Sequence, residues 1–221
     1  MFTLDEFLAR AKPGDILLTA NPAGLGSLIN FGQSLEDSNG GTKSQYGHVA
    51  IVAAVEDEGV KLKHWHVDGH IYESVMVISR NHIRKYYGKE CCVIRHREMD
   101  VAAYFKGLVE VEDNLGQLYP AHRIVFHGLD MINSWVKRAI FRRKTPLRFR
   151  YMKFMPLDWP VCSELGAQFI HAAGLEGGWE ELGKKGWRGV NPDDFYDCAV
   201  TRADLWALVL EGTLVAGAVE K

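Results

Sequence analysis

The run Val49-Ala50-Ile51-Val52-Ala53-Ala54-Val55 is nearly all apolar and rich in β-branched residues, and it opens on a histidine, His48. Such a run reads as a central strand. The next twenty residues set the kind of sheet it joins. The acidic turn at 56–59 reverses the chain, residues 61–67 alternate as a second strand, and Asp68-Gly69 is a tight-hairpin signal leading into Ile71-Tyr72-Glu73-Ser74-Val75. An antiparallel meander is the expected result, with His48 at the head of its central strand.

The remaining segments supply what such a sheet must be covered with. Residues 3–11 carry Leu4, Phe7, Leu8 and Ala11 at helical spacing, with Thr3 and Glu6 in capping-box relation, and Lys12-Pro13-Gly14-Asp15 stops that helix. Ile16-Leu17-Leu18-Thr19 reads as a buried strand. Gly24 and Gly26 invite a phosphate-loop reading, but no Gly-Lys-Ser/Thr comes after them. Residues 91–97 read as another strand, on which adjacent Cys91 and Cys92 point to opposite faces, so that at most one of the pair is expected to be buried. A helical pattern runs over 101–118 and another from Cys162 to about 173. Residues 192–194 look like a helix start, and the Gly/Ala/Val tail reads as a last strand. No repeat or linker divides the chain. A single domain over 1–221 is expected, with residues 119–157, the least readable part, set apart as a candidate insertion.

Composition narrows the functional classes. With 47% hydrophobic and 24% charged residues and a net charge of -2, the chain is ordinary for a globular protein and shows no overall bias toward nucleic acid or anionic membrane. Its cysteines, 91, 92, 162 and 198, are too sparse for a disulfide framework and show no zinc spacing. A reduced, cytoplasmic protein is expected. The first ten residues lack the basic and apolar regions of a signal peptide, and no apolar run approaches the roughly 18 residues of a membrane span.

Two segments carry candidate chemistry. Asp158-Trp159-Pro160-Val161 is a turn-forming run, which places Cys162 on the first turn of a buried helix. There unpaired N–H groups and the helix dipole favour a thiolate, the nucleophilic form. A cysteine nucleophile needs a base and a group to orient that base. His48 suits the base, because strand ends open into clefts while strand middles are packed.

Read together, Pro13-Gly14-Asp15-Ile16-Leu17-Leu18, Tyr46-Gly47-His48-Val49-Ala50-Ile51-Val52, Ile71-Tyr72-Glu73-Ser74, Val161-Cys162-Ser163-Glu164-Leu165 and Asn191-Pro192-Asp193-Asp194 resemble the permuted branch of the NlpC-type papain-like cysteine hydrolases, the YiiX-like amidases. In that branch, as in lecithin:retinol acyltransferase, the His strand precedes the Cys helix. The resemblance spans about 10–195. It implies an α+β, circularly permuted papain-like fold, an antiparallel sheet or barrel packed on the Cys helix. It also implies a nucleophile at Cys162, a base at His48 and a third polar residue on a neighbouring strand. The family pattern points to Glu73 for that third place. A turn centred on Asp57-Glu58 instead puts His66 or Val67 opposite His48, which makes His66 the runner-up. Tyr46, two residues before the base, is a candidate to donate to an oxyanion or line the pocket if the strand extends that far. Its plainer reading is a packed surface tyrosine.

The expected activity is hydrolysis of an amide, of peptide, isopeptide or peptidoglycan type, through a thioester acyl-enzyme with a Cys-His-Glu triad and no cofactor. The substrate is then a small peptide-like or acyl-amide molecule. Acyl transfer or lipid deacylation on the same fold is the alternative. His64, His66 and His70 are close enough to suggest a metal, but the one further ligand is Asp68 across a turn, and a solvated hairpin face is expected. The run Lys137, Arg138, Arg142, Arg143, Lys144, Arg148, Arg150 and Lys153 contains no acid and interleaves aromatics. It gives a third, non-catalytic reading, a module gripping an anionic partner, with nucleic acid disfavoured and peripheral lipid contact open.

Overall fold

The structure is a computed structural model that describes residues 1–20, 46–56, 59–68, 71–79, 86–112, 162–182, 186, 187 and 189–216, with 129, 136 and 140; for 53–79 and 112 the backbone alone is described. Along the chain run β1 (Phe2–Thr3), α1 (Leu4–Arg10), β2 (Ile16–Thr19), β3 (His48–Glu56), β4 (Gly59–Asp68), β5 (Ile71–Ser79), β6 (Glu90–His96), α2 (Val101–Glu112), α3 (Cys162–Ala172), α4 (Pro192–Thr201) and β7 (Trp206–Val215). The strands form one sheet in the order β1-β7-β6-β2-β3-β4-β5. All neighbours are antiparallel except β1 with β7, so this is a mixed sheet of an α+β fold. The described pairings leave β1 and β5 at the two ends, an open sheet and not a barrel. No helix among the described residues is long and apolar enough to cross a membrane.

Local signals account for the elements. Thr3 and Glu6 close the expected capping box on α1, and Asn191 and Asp194 close a second on α4, whose Pro192 sits where a missing N–H costs nothing. Gly14, at φ 90°, turns the chain from α1 into β2, a conformation that only glycine adopts without strain. The meander β3-β4-β5 agrees with the sequence reading, with Ile51 opposite Lys63 and Asp68 opposite Ile71. The glycine-rich segment around 24–26, the 37–44 loop and nearly all of 119–157 lie outside the described residues.

Both faces of the sheet are covered. Ile16, Leu18, Val49, Ile51, Cys92 and Ile94 join α3 and α4 in one core, while Leu17, Ala50, Val52, Cys91 and Val93 join α1 in a second. This corrects one expectation. Cys91 and Cys92 do point to opposite faces, but both are buried, because the sheet has no solvated face at that position.

Pro13-Gly14-Asp15 is held by an ion pair between the buried Asp15 and the half-buried Arg95. Asp15 accepts from Arg95 Nε and Nη2 at 2.7 Å each and from the Lys12 N–H at 2.8 Å, and Arg95 also donates to the Arg10 carbonyl. Burial pushes the Asp15 carboxyl up, while the guanidinium and the Lys12 N–H pull it back. Such a pair contributes little net stability but strongly penalises loss of one partner. It fixes the position of the α1–β2 turn against β6.

On the other face, α3 approaches β3 without spacing. A β-carbon at Gly166 would lie 3.0 Å from Val49 Cγ1 and 3.2 Å from Phe195 Cζ. Gly166→Ala is therefore expected to cost about 1–3 kcal/mol by overpacking, read as a lowered urea midpoint with an unchanged m-value.

His96 ends β6 inside the core. Its Nδ1 accepts from the Glu98 N–H at 3.2 Å, which leaves Nε2–H to donate to the Glu176 carbonyl at 3.0 Å, and its ring meets Trp206 edge-on. Burial lowers its pKa from the ordinary 6.5. The unfolded chain therefore takes up a proton below about pH 6.5 that the folded chain refuses. This contribution is intact at neutral pH and is lost as pH falls toward the lowered folded value. Chemical unfolding at pH 7.5 and 5.5 should show a smaller stability loss for His96→Gln than for the unmodified protein.

Candidate active site

α3 begins at Cys162, and every residue from Cys162 to Ile170 is buried. Amphipathic patterning cannot produce such a run. It requires cover on all sides, which Val49 of β3, Phe195 of α4 and Gly107 of α2, set directly against Phe169, provide. Glu164, fully buried, accepts the Gly189 N–H at 3.0 Å and so ties the loop before α4 to the first turn of α3.

Cys162 is 6% exposed, and the backbone N–H groups of Val49, Ser163 and Cys162 itself act on its sulfur. The described β3–β4 ladder starts at Ile51 and Lys63, so the sulfur meets β3 beyond the end of that pairing. Burial nevertheless raises the thiol pKa from its ordinary value, and these three N–H groups only partly oppose it, with Glu164 adding to the rise. The expected resting thiolate is thus corrected to a resting thiol: desolvation outweighs the helix N-terminus.

His48, the first residue of β3, is half-buried and pairs with Thr19, immediately before the residue whose N–H reaches the Cys162 sulfur. Gly47 N–H also donates to the Thr19 carbonyl at 3.1 Å, so two residues at the head of β3 face one on β2. That extra residue decides the fate of Tyr46. The strand does not extend to it, and Tyr46 lies in the α3-side core with Val49 and Ile51, whereas His48 falls in the alternation of Ala50 and Val52. Tyr46 is fully buried, its ring 5.2 Å from that of Tyr196 and its hydroxyl hydrogen-bonded with the Cys92 thiol. It is neither a surface tyrosine nor on the His48 side of the strand.

The third position is clarified by sheet order. Glu73 lies on β5, which pairs with β4 and not with β3, so Glu73 is not on a strand next to His48. His66 is on β4, the neighbour of β3, although the described β3–β4 pairing ends at Ile51 and Lys63, short of both His48 and His66. His66 and Glu73 are themselves direct cross-strand partners, just past a register shift in β4.

One residue near the thiol escaped sequence reasoning. Tyr86 is buried in the α1-side core, its ring 5.5 Å from the Lys89 ammonium. Burial raises its pKa first, and then the charges of Cys91 and Cys162 do so. Tyr86 thus lies within electrostatic reach of Cys162. No spacing in the sequence signals this, because Tyr86 sits in a connection and not in a periodic element. Among the described residues, no group of three His, Cys, Asp or Glu could hold a metal. No protein-family model matches the chain, and no curated protein matches it in sequence.

The chemistry open to this arrangement is that of a buried thiol at a helix start beside the backbone of β3, whose first residue is His48. Alkylation of Cys162 by iodoacetamide, read by peptide mass spectrometry, should keep rising past pH 9, the ordinary thiol value. A plateau at or below neutral pH would instead reveal a resting thiolate.

Proposed function

We propose that the protein is a cysteine hydrolase of the permuted NlpC-type papain-like fold that cleaves amide bonds through a thioester acyl-enzyme. One observation carries the reading: the Val49 N–H, on the residue after His48, acts on the Cys162 sulfur at the start of α3. Two segments more than a hundred residues apart thereby meet at the thiol, one of them the strand that His48 opens. The order of the elements, His strand before Cys helix, agrees with the permuted arrangement.

The resting thiol dictates the order of events. His48 removes the Cys162 proton as the sulfur attacks the substrate carbonyl, and does not wait beside a preformed thiolate. The C–S bond forms, and the carbonyl oxygen takes up negative charge that N–H donors at the start of α3 stabilise. Collapse expels the amine, which receives the proton from His48. Water, deprotonated by His48, then cleaves the thioester and restores the thiol.

Sheet order supports His66 over Glu73 as the residue that orients His48, since β4 adjoins β3 and β5 does not. Glu73, the cross-strand partner of His66 in backbone register, is one strand further out and takes the supporting place in this reading. The activity is then Cys-His-His chemistry backed by a carboxylate.

Turnover of a panel of acyl-amide and peptide substrates tests the assignment. Cys162→Ala should abolish turnover, and His48→Ala should lower kcat by about 10²- to 10⁴-fold. His66→Ala should cost more than Glu73→Gln, with KM little changed in both. Covalent labelling carried by Cys91, Cys92 or Cys198 in place of Cys162 would overturn the reading. A larger loss at Glu73 than at His66 would return the orienting role to Glu73.

A further inference from the structure

The two ends of the sheet are built differently. At one end β1 is two residues long and leaves almost no edge beyond its pairing with β7. At the other, β5 runs for nine residues, and among the described elements its one ladder and its one substantial contact are with β4. Alternate residues of a terminal strand turn their N–H and C=O groups away from the sheet, where a further strand can pair with them. Proteins that keep such an edge single blunt it with brevity, lysine, proline or a bulge. Residues 71–79 contain no Lys, Arg, Pro or Gly, and Glu73 is their one charge. The bulge in the β4–β5 ladder falls on β4, between Lys63 and His66, and leaves β5 itself regular.

The strand is complementary to itself. Laid antiparallel to a second copy and centred on Val75, it sets Tyr72 opposite Ile78, Glu73 opposite Val77, Ser74 opposite Met76 and Val75 opposite Val75. The charges fit this register. Within one copy Glu73 pairs with His66 and Val77 with Lys61, so the row through Glu73 reads His66, Glu73, then Val77 and Lys61 of the second copy. An acid of one copy and a lysine of the other thus share a row and a face, two strand spacings or about 10 Å apart. The two Glu73 residues are kept four positions, about 14 Å, from each other along the strands, and the Lys63 of each copy stands three strand spacings from its twin. Pairing centred on Glu73, or parallel pairing in register, would instead set carboxylate against carboxylate.

We infer that β5 is a dimerisation edge, along which two copies of the chain join antiparallel about Val75 into one continuous sheet. The contact is two-fold symmetric, so each copy uses the other's open edge and the joined sheet ends on the two-residue β1 strands, which stops assembly at two. An unrelated extended peptide would satisfy the same N–H and C=O groups but would lack the row that brings Lys61 of one copy toward Glu73 of the other. The inference is independent of the reaction at Cys162 and stands or falls without it.

Analytical ultracentrifugation of the full chain tests it. The unmodified chain should show a dimer whose share grows with concentration up to roughly 100 µM, a measurement that needs no substitution. Val75→Glu should raise the dimer dissociation constant at least about tenfold, because the new carboxylate lies opposite Lys63 within its own copy but opposite its twin across the axis. Val75→Cys reads the register. Directly opposed residues of antiparallel strands lie about 5 Å apart at Cα, within disulfide reach, so diamide should convert this variant to a covalent dimer on a non-reducing gel. Ser79→Cys, about 27 Å from its twin in this register, should stay uncrosslinked, as should the unmodified chain, whose four cysteines are buried. Far-UV spectra identical to that of the unmodified chain confirm that the variants fold. A monomer at every concentration overturns the inference. So does a dimer that Val75→Glu leaves unchanged, equal cross-linking of the two cysteine variants, or growth beyond a dimer.

Discussion

The structure depends on how closely α3 lies on β3. With no side chain at Gly166, the helix comes within van der Waals contact of Val49, and the same approach lets the Cys162 sulfur meet the Val49 N–H at the head of the strand. Packing and chemistry are therefore one constraint. A helix held a methyl group further out would take the sulfur away from that N–H and leave the thiol without its strand partner. The cover on α3's remaining sides is then required, because a helix buried all round must be met by α2, α4 and the loop that Glu164 holds.

Burial has a chemical consequence at each polar group it encloses. At Cys162 it overrides the helix N-terminus and leaves a thiol. At His96 it leaves a neutral imidazole with both nitrogens committed. At Asp15 it is offset by a two-point bond to Arg95, which converts a costly carboxylate into a register device for the α1–β2 turn. The reactive group of the proposed enzyme is thus stored in its unreactive form. In the proposed reaction, proton transfer to His48 would be part of the attack itself.

Much of the framework was legible in the sequence. The capping box at Thr3–Glu6, the helix start at 192–194, the turn at Gly14, the strand opened by His48 and the helix opened by Cys162 rest on interactions within a few residues, and local rules read them correctly. The pairing of His66 and Glu73 is likewise a consequence of the Asp68-Gly69 hairpin signal. Where reading failed, the missing information was non-local. Cys91 and Cys92 were split between faces correctly, but that both faces are covered depends on α1 on one side and on α3 and α4 on the other. Tyr46 went astray by the one extra residue at Gly47, a bulge that no spacing announces.

The sequence by itself determined where the described helices and strands lie to within a few residues, and pointed to Cys162 and His48 as the proposed nucleophile and base. These depend on backbone preference and side-chain period, which act over one or two turns of chain. Only the tertiary structure decided that Cys162 rests as a thiol, that β4 and not β5 lies beside the His48 strand, and that Tyr86 shares the electrostatics of the site. Solvent exclusion and sheet order arise from contacts between residues tens to more than a hundred positions apart, and no local pattern carries them.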